Sequence, residues 1–249
     1  MTEKLQKSET ILVGNIIEPG YCGSVVKSEK PKNTWDQVVE LIKNMLRPFY
    51  RQWRVVAVST ICKNRKDYQG IIYVDPMEIK NTVNKNDITL KRNDMWHFGS
   101  VCDGDWDLDG VPIETYGHIY PILKQRVEQG KDYDDIPEFM ENLKLIDQGE
   151  RPDVCSSEKQ YREKWYRIEA TYNLLKKQGY KSQEELKTGY PFNEIRVQVG
   201  RNGDLLFEEG MHRLVISQLL GFKKISVIIT RRHAEWVKKN KQKPYKNAL

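Results

Sequence analysis

Long apolar runs are missing. No stretch of the 249 residues approaches the roughly 18 consecutive apolar positions that a bilayer-spanning helix requires. The opening residues Met1, Thr2, Glu3, Lys4, Leu5, Gln6 and Lys7 lack the apolar stretch of a signal peptide, so a cytoplasmic protein with no membrane partner is expected. Cysteine is scarce. Cys22, Cys62, Cys102 and Cys155 are far apart and form no Cys-x-x-Cys pair, which excludes the dense framework of a disulfide-stapled secreted domain and predicts free thiols. His97 and Cys102 have the residue types for zinc but not the two close-spaced pairs that a structural site uses. The Gly-x-x-x-x-Gly-Lys-Ser/Thr phosphate loop, the Gly-x-Ser-x-Gly elbow and the His-Glu-x-x-His helix are all absent. Internal repeats are absent too, and the one biased segment is the lysine-rich end.

What is present is a chain with 39% hydrophobic residues, enough for a real core, and a formal charge of +6. That charge is localised. From Arg231 onward there are Arg231, Arg232, Lys238, Lys239, Lys241, Lys243 and Lys246 against Glu235 alone, so the rest of the chain is neutral. A nucleic-acid domain spreads basic charge along a face or groove, whereas this is a neutral body with a cationic end. Such an end is either a solvated tail or a phosphate-facing one.

Residues up to about 30 show no sustained period. Thr34 and Gln37 then form a capping-box pair ahead of Trp35, Val38, Val39, Ile42 and Met45 at helical spacing, and Pro48 stops the run. Residues 53–58 and 71–74 read as strands. Between Gly99 and Gly110 the glycine- and aspartate-rich composition predicts a loop. Residues 118–179 read as broken helices. In the clearest, Ser157 and Gln160 form a capping box, Tyr161, Trp165, Ile168, Tyr172 and Leu175 form the apolar stripe of a core-facing helix, and Gly179 terminates it. After Pro191 the order is strand (Ile195, Val197, Val199), an Asn202-Gly203 hairpin, strand (Leu205, Leu206, Phe207), a short helix from Met211 to Leu220, and a buried-type strand from Ile225 to Thr230.

Glu208-Glu209-Gly210-Met211-His212-Arg213 lies where a strand hands over to a helix. A glycine there allows close backbone approach, and a helix N-terminus presents unpaired N–H groups with partial positive charge. His212 and Arg213 in the first turn oppose the macrodipole unless an anion offsets them, an inconsistency expected at a functional site. The alternative is that Arg213 pairs with Glu208 or Glu209 and His212 caps or packs.

Gly-x-His-Arg, preceded by an acidic residue and apolar strand residues and followed by a short Leu-rich helix, Gly221 and an Ile-Ser-Val-Ile strand, resembles the ParB/sulfiredoxin fold over residues 194–236. Tyr73-Val74-Asp75-Pro76-Met77-Glu78-Ile79 is similar to that family's opening strand and proline-containing turn. The resemblance implies a nucleotide site in which Gly210, His212 and Arg213 cradle phosphates. Members of the fold include CTP-hydrolysing partition proteins, sulfiredoxins, free-serine kinases and reported nucleases, so fold alone does not select a reaction. Sulfiredoxins carry a cysteine directly before His-Arg, where this chain has Met211. Partition proteins need a downstream helix-turn-helix, and only thirteen residues follow Trp236. The acidic-Gly-x-His-Arg turn of the serine-kinase branch matches Glu209 to Arg213, without a match for its small-molecule acceptor.

Asp105-x-Asp107-x-Asp109-Gly110 matches the first half of an EF-hand loop, but Tyr116 stands where a bidentate glutamate belongs and Pro112 interrupts the second half. Asp105, Asp107 and Asp109 are therefore an ordinary acidic turn, or one or more of them are Mg²⁺ ligands serving a nucleotide, or they bind Ca²⁺. Glu208 and Glu209 are candidate bases or metal ligands, with Glu209 the leading base, or else charge partners for Arg213 or solvent-facing glutamates. Arg231, Arg232 and His233 are candidate anion contacts or the start of the solvated tail.

The expected fold is α+β: a ParB/sulfiredoxin-like mixed sheet with a long helical insertion and an N-terminal helix-plus-strand extension. Residues 1–70 form the extension packed on the core, 71–240 the ParB/sulfiredoxin-like domain with the insertion at about 116–190, and 241–249 the basic tail. The expected activity is nucleotide binding with phosphoryl transfer or hydrolysis by a kinase-like phosphotransferase or NTPase. Its ligand is a nucleoside di- or triphosphate such as ATP, with Mg²⁺. The competing expectation is a non-catalytic module that holds nucleic acid through the phosphate turn and the basic tail. A third is a retained fold with a degenerate site.

Overall fold

A computed structural model describes residues 70–83, 98–186 and 193–240, together with Met45 and Trp53. Apart from Met45 and Trp53, the helix expected from Thr34, the strand at 53–58 and the tail at 241–249 lie outside the described residues; Met45 is helical as expected, whereas Trp53 is helical where a strand was expected to begin.

The sheet is built around its longest strand, whose first five residues are apolar except Ser226. β6 (Ile225–His233) is buried along all nine residues, so its backbone groups must be paired within the sheet. On one side it pairs in parallel with β4 (Ile195–Val199). On the other, β1 (Ile71–Val74) runs antiparallel to its first half and β3 (Ser100–Cys102) parallel to its last three residues. β4 pairs antiparallel with β5 (Leu205–Glu209), which pairs in parallel with β2 (Ile79–Thr82). Among the described residues the result is a mixed six-stranded sheet of order β1-β6-β4-β5-β2, with β3 beside β6. The β4–β5 connection is the expected tight turn: Gly203 adopts φ +92 and its N–H donates to the Gly200 carbonyl.

Among the described residues, five α-helices between β3 and residue 240 complete the α+β architecture. α1 (Ile119–Glu128), α2 (Pro137–Asp147) and α3 (Glu158–Gln178) lie in the segment between β3 and β4. α4 (Met211–Leu219) connects β5 to β6, and α5 (Ala234–Lys239) follows β6. α3 forms where its caps predict: Ser157 Oγ accepts from the Gln160 amide at 3.3 Å and Gly179 ends the helix at φ +78. Its stripe of Tyr161, Trp165, Ile168, Tyr172 and Leu175 is buried in the main core. Among the described residues no helix is long and apolar enough to cross a membrane.

Strand periodicity gives the sheet two chemically different faces. Ile195, Val197, Val199, Leu205, Phe207, Val227 and Ile229 join the helices in the main core. On the other side Gln198 Nε2 donates to Glu208 at 2.9 Å, Thr230 hydrogen-bonds to the same carboxylate, and Arg196 pairs with Glu209 and stacks 5.2 Å from the Phe98 ring centre. The apolar face carries α4 and its N-terminal turn.

Candidate functional site

The turn from Gly210 to Arg213 is shaped by a backbone conformation that only glycine adopts without cost. Gly210 is the N-cap of α4 at φ +98, and a Cβ there would meet Ile195 Cα at 3.1 Å and Cγ1 at 3.2 Å. Gly210→Ala is therefore expected to lower stability by about 2–3 kcal/mol, read as a fall in the urea midpoint at unchanged slope.

His212 and Arg213 turn inward rather than toward solvent. The Arg213 side chain is 6% exposed, its nearest acid is Glu194 at 3.6 Å, longer than a hydrogen bond, and its Nε and Nη1 have no acceptor. Burial pushes the Glu194 carboxyl up, with Arg213 opposing it. His212 Nε2 is enclosed and likewise has no partner. Burial, then the charge of Lys164, holds this imidazole down at about 3. Arg213 thus faces neither Glu208 nor Glu209, the partners considered for it from the sequence.

The groups that act electrostatically on His212 are Lys164, Asp153, His118 and Arg213. Three of these come from the helical segment, and the sequence alone did not single them out. His118 is the N-cap residue of α1, but its side chain does not cap. Its Nε2 instead donates to Asp153 Oδ2 at 2.7 Å. Lys164 Nζ, from α3, reaches the same oxygen at 2.9 Å. The Asp153 side chain is 0% exposed and its Oδ1 has no donor. Burial opposes its ionisation, but the hydrogen bond from His118 and the charge of Lys164 outweigh that and hold the carboxyl well below the usual range. The loop that presents Asp153 is strained: Asp153 and the β-branched Val154 both have positive φ, +54 and +65. A signal existed in the sequence only as Pro152-Asp153 ahead of a capping box, which marks a turn but not its contents.

His118 and Lys164 therefore share the Asp153 carboxylate, and the His212 ring lies within electrostatic reach of that group and of Arg213. Several donor nitrogens lack acceptors, so the arrangement suits an oxyanion. A cavity of about 20 Å³ opens beside Arg213 between Leu175, Tyr180 and Leu186, room for a water and not for a nucleobase.

The other residues expected at a site are engaged elsewhere. Glu209 is held by Arg196, so the leading base candidate is already an ion-pair partner. Asp105 and Asp107 do not converge with Asp109. They grip Arg201, whose Nη2 donates at 2.7 Å to each, and the Arg201 amide donates to Asp107 at 2.7 Å. Burial would raise the Asp107 carboxyl, but these bonds lower it below its ordinary value. Asp109 takes φ +59 in the same loop. This loop is a clasp on the β4–β5 turn, and its carboxylates do not fit a Mg²⁺ site. Among the described residues no three His, Cys, Asp or Glu side chains are grouped to hold a metal ion.

Arg231, Arg232 and His233 belong to β6 and are buried, instead of opening the tail. The Arg231 guanidinium lies 5.9 Å from the Trp106 ring centre. His233 Nε2 donates to the Gly104 carbonyl at 2.8 Å, and Nδ1 accepts from the Glu235 amide at 3.1 Å, capping α5. Arg231 and His233 close the strand onto the acidic loop. Cys102 and Cys155 are free thiols, and burial pushes the Cys155 thiol up.

No family model, no curated protein and no solved structure matches the chain.

Proposed function

We propose that the protein binds a nucleotide through its phosphates at the Gly210–Arg213 turn, and that the phosphoryl group held there is the one transferred or hydrolysed. The reading combines the ParB/sulfiredoxin-like resemblance of residues 194–236 with one observation: a 6%-exposed Arg213 guanidinium at the first turn of α4 whose Nε and Nη1 have no acceptor. A buried arginine with free donors is costly. A phosphate oxygen supplies the missing acceptors, and the amides at the N-terminus of α4 add backbone donors to the same anion. Phosphoryl transfer depends mainly on positioning and charge stabilisation, which this donor set provides. Because Glu209 is bound to Arg196, the base that the sequence favoured is already engaged.

The test is a melting-temperature panel of ATP, ADP, CTP, GTP and a short DNA duplex on wild type and Arg213→Ala. A nucleotide at 100 times its Kd adds about 2.7 kcal/mol to stability. For a chain of this size that corresponds to roughly 5–10 °C. The expected result is stabilisation by a nucleotide that disappears in Arg213→Ala. Stabilisation by DNA alone, steeply weakened by salt, would replace this reading with the nucleic-acid module.

A further inference from the structure

We propose that the helical segment between β3 and β4 completes the anion site: Lys164 and His118, fixed on Asp153, join His212 and Arg213 around one phosphoryl group. The free Oδ1 of Asp153 makes this site selective for an oxyanion that carries a proton. The inference rests on the proposed phosphate-binding role of the turn and adds to it a second set of residues and a ligand specificity.

Three observations carry it. First, Lys164, Asp153 and His118 are, with Arg213, the groups that act on the enclosed His212 ring, so the helical segment and the turn form one electrostatic unit. α3, which carries Lys164, and α4, which carries His212 and Arg213, pack on each other. Second, the unit has excess donor capacity. One Asp153 oxygen serves both His118 and Lys164, while Arg213 Nε, Arg213 Nη1 and His212 Nε2 are enclosed without partners. An ammonium carries three N–H donors, so Lys164 retains donors after its bond to Asp153. Third, Asp153 is held in a strained loop, at φ +54 followed by Val154 at +65, that places a 0%-exposed carboxylate against His118 and Lys164. Backbone strain of this kind persists where surrounding structure over-determines it, and it is concentrated at ligand clamps.

The carboxylate sets the specificity. An ionised carboxylate oxygen only accepts hydrogen bonds, so Oδ1 requires a donor from the ligand. Hydrogen phosphate and dihydrogen phosphate carry an O–H at neutral pH and satisfy it, as does a phosphate monoester below its second pKa near 6. Sulfate has none, and would face Oδ1 with an unprotonated oxygen. Like-charged acceptors left opposed in a buried site are costly, so sulfate is rejected although it matches phosphate in shape.

The experiment is titration calorimetry with inorganic phosphate and with sulfate near pH 6.5 on the full chain, wild type and Lys164→Met, Lys164→Arg, Asp153→Asn and Arg213→Ala. Wild type is expected to bind phosphate at least about tenfold more tightly than sulfate. Lys164→Met is expected to weaken phosphate by about tenfold or more, with Lys164→Arg recovering most of the loss. Asp153→Asn, whose side chain tolerates the left-handed backbone and offers a donor, is expected to bring sulfate close to phosphate. Where a variant does not fold, protection of Lys164 from amine acetylation by phosphate in the wild-type protein gives the same information. Equal wild-type affinity for the two anions, or Lys164→Met binding phosphate like wild type while Arg213→Ala does not, overturns the inference and leaves the nucleotide reading intact. Lys164-dependent phosphate binding with no stabilisation by any nucleotide keeps the inference and overturns the nucleotide reading. No binding of phosphate or nucleotide by wild type overturns both.

Discussion

Asp153→Ala is expected to destabilise the protein by about 3–5 kcal/mol, the range for removing one partner of a buried ion pair. The substitution leaves the Lys164 ammonium and the His118 N–H without the one oxygen that serves both, at 2.9 and 2.7 Å. It also places alanine at φ +54, a conformation that aspartate and asparagine tolerate better. Both effects have the same sign. For a chain of this length the melting temperature falls by roughly 6–20 °C, and the urea midpoint falls with the slope unchanged. A loss below about 1 kcal/mol would mean that Lys164 and His118 reach solvent as easily as they reach the carboxylate.

Acidification is expected to destabilise the protein through His212 before it does so through the carboxylates. The unfolded imidazole titrates near 6.5, whereas burial holds the folded one at about 3. A folded value below the unfolded one means that the unfolded chain binds the extra proton, so stability is full above about pH 6.5 and declines as pH falls toward 3. For this one group the loss between pH 7 and pH 4 is about 3 kcal/mol. Asp153 adds a second loss at lower pH: its depressed carboxyl contributes stability above the unfolded value near 3.9, and that contribution is lost as pH falls through and below it. His212→Gln removes the first decline and keeps the second, so its stability is flat between pH 6.5 and 4.5 where wild type falls. Urea unfolding at half-unit pH steps measures this directly. Parallel profiles for wild type and His212→Gln would show that the imidazole is not shielded from protons.

Local patterns made much of the fold legible. Ser157, the Tyr161-to-Leu175 stripe and Gly179 specify α3 within α3 itself, and the β5–Gly210–α4 handover is written in consecutive residues. The misread positions are those whose partners are distant in sequence. Arg231, Arg232 and His233 look like the beginning of a basic tail until β3, some 130 residues earlier, pairs with them and turns three charged residues into strand. Asp105 and Asp107 look like cation ligands until Arg201, 96 and 94 residues away, occupies them. Glu209 looks free to act as a base until a shift in the β4–β5 register brings Arg196 opposite it. The same limit hid half of the candidate site. Gly210, His212 and Arg213 are contiguous and stand out, whereas His118, Asp153 and Lys164 carry no shared motif and meet only through the packing of the helical segment. The αL pair at Asp153 and Val154 is invisible in sequence because neither position is glycine.

The most direct measurement is the Arg213 Nε–H resonance in protein labelled with ¹⁵N in its arginine side chains, followed while ATP, or inorganic phosphate, is added. Arg213 Nε–H has no acceptor in the free protein. The account predicts a saturable downfield shift of that one resonance as a phosphate oxygen takes up the bond, with the same titration midpoint as the rise in melting temperature. An Arg213 Nε–H that does not move with either ligand at millimolar concentration, in protein that remains folded, would contradict it.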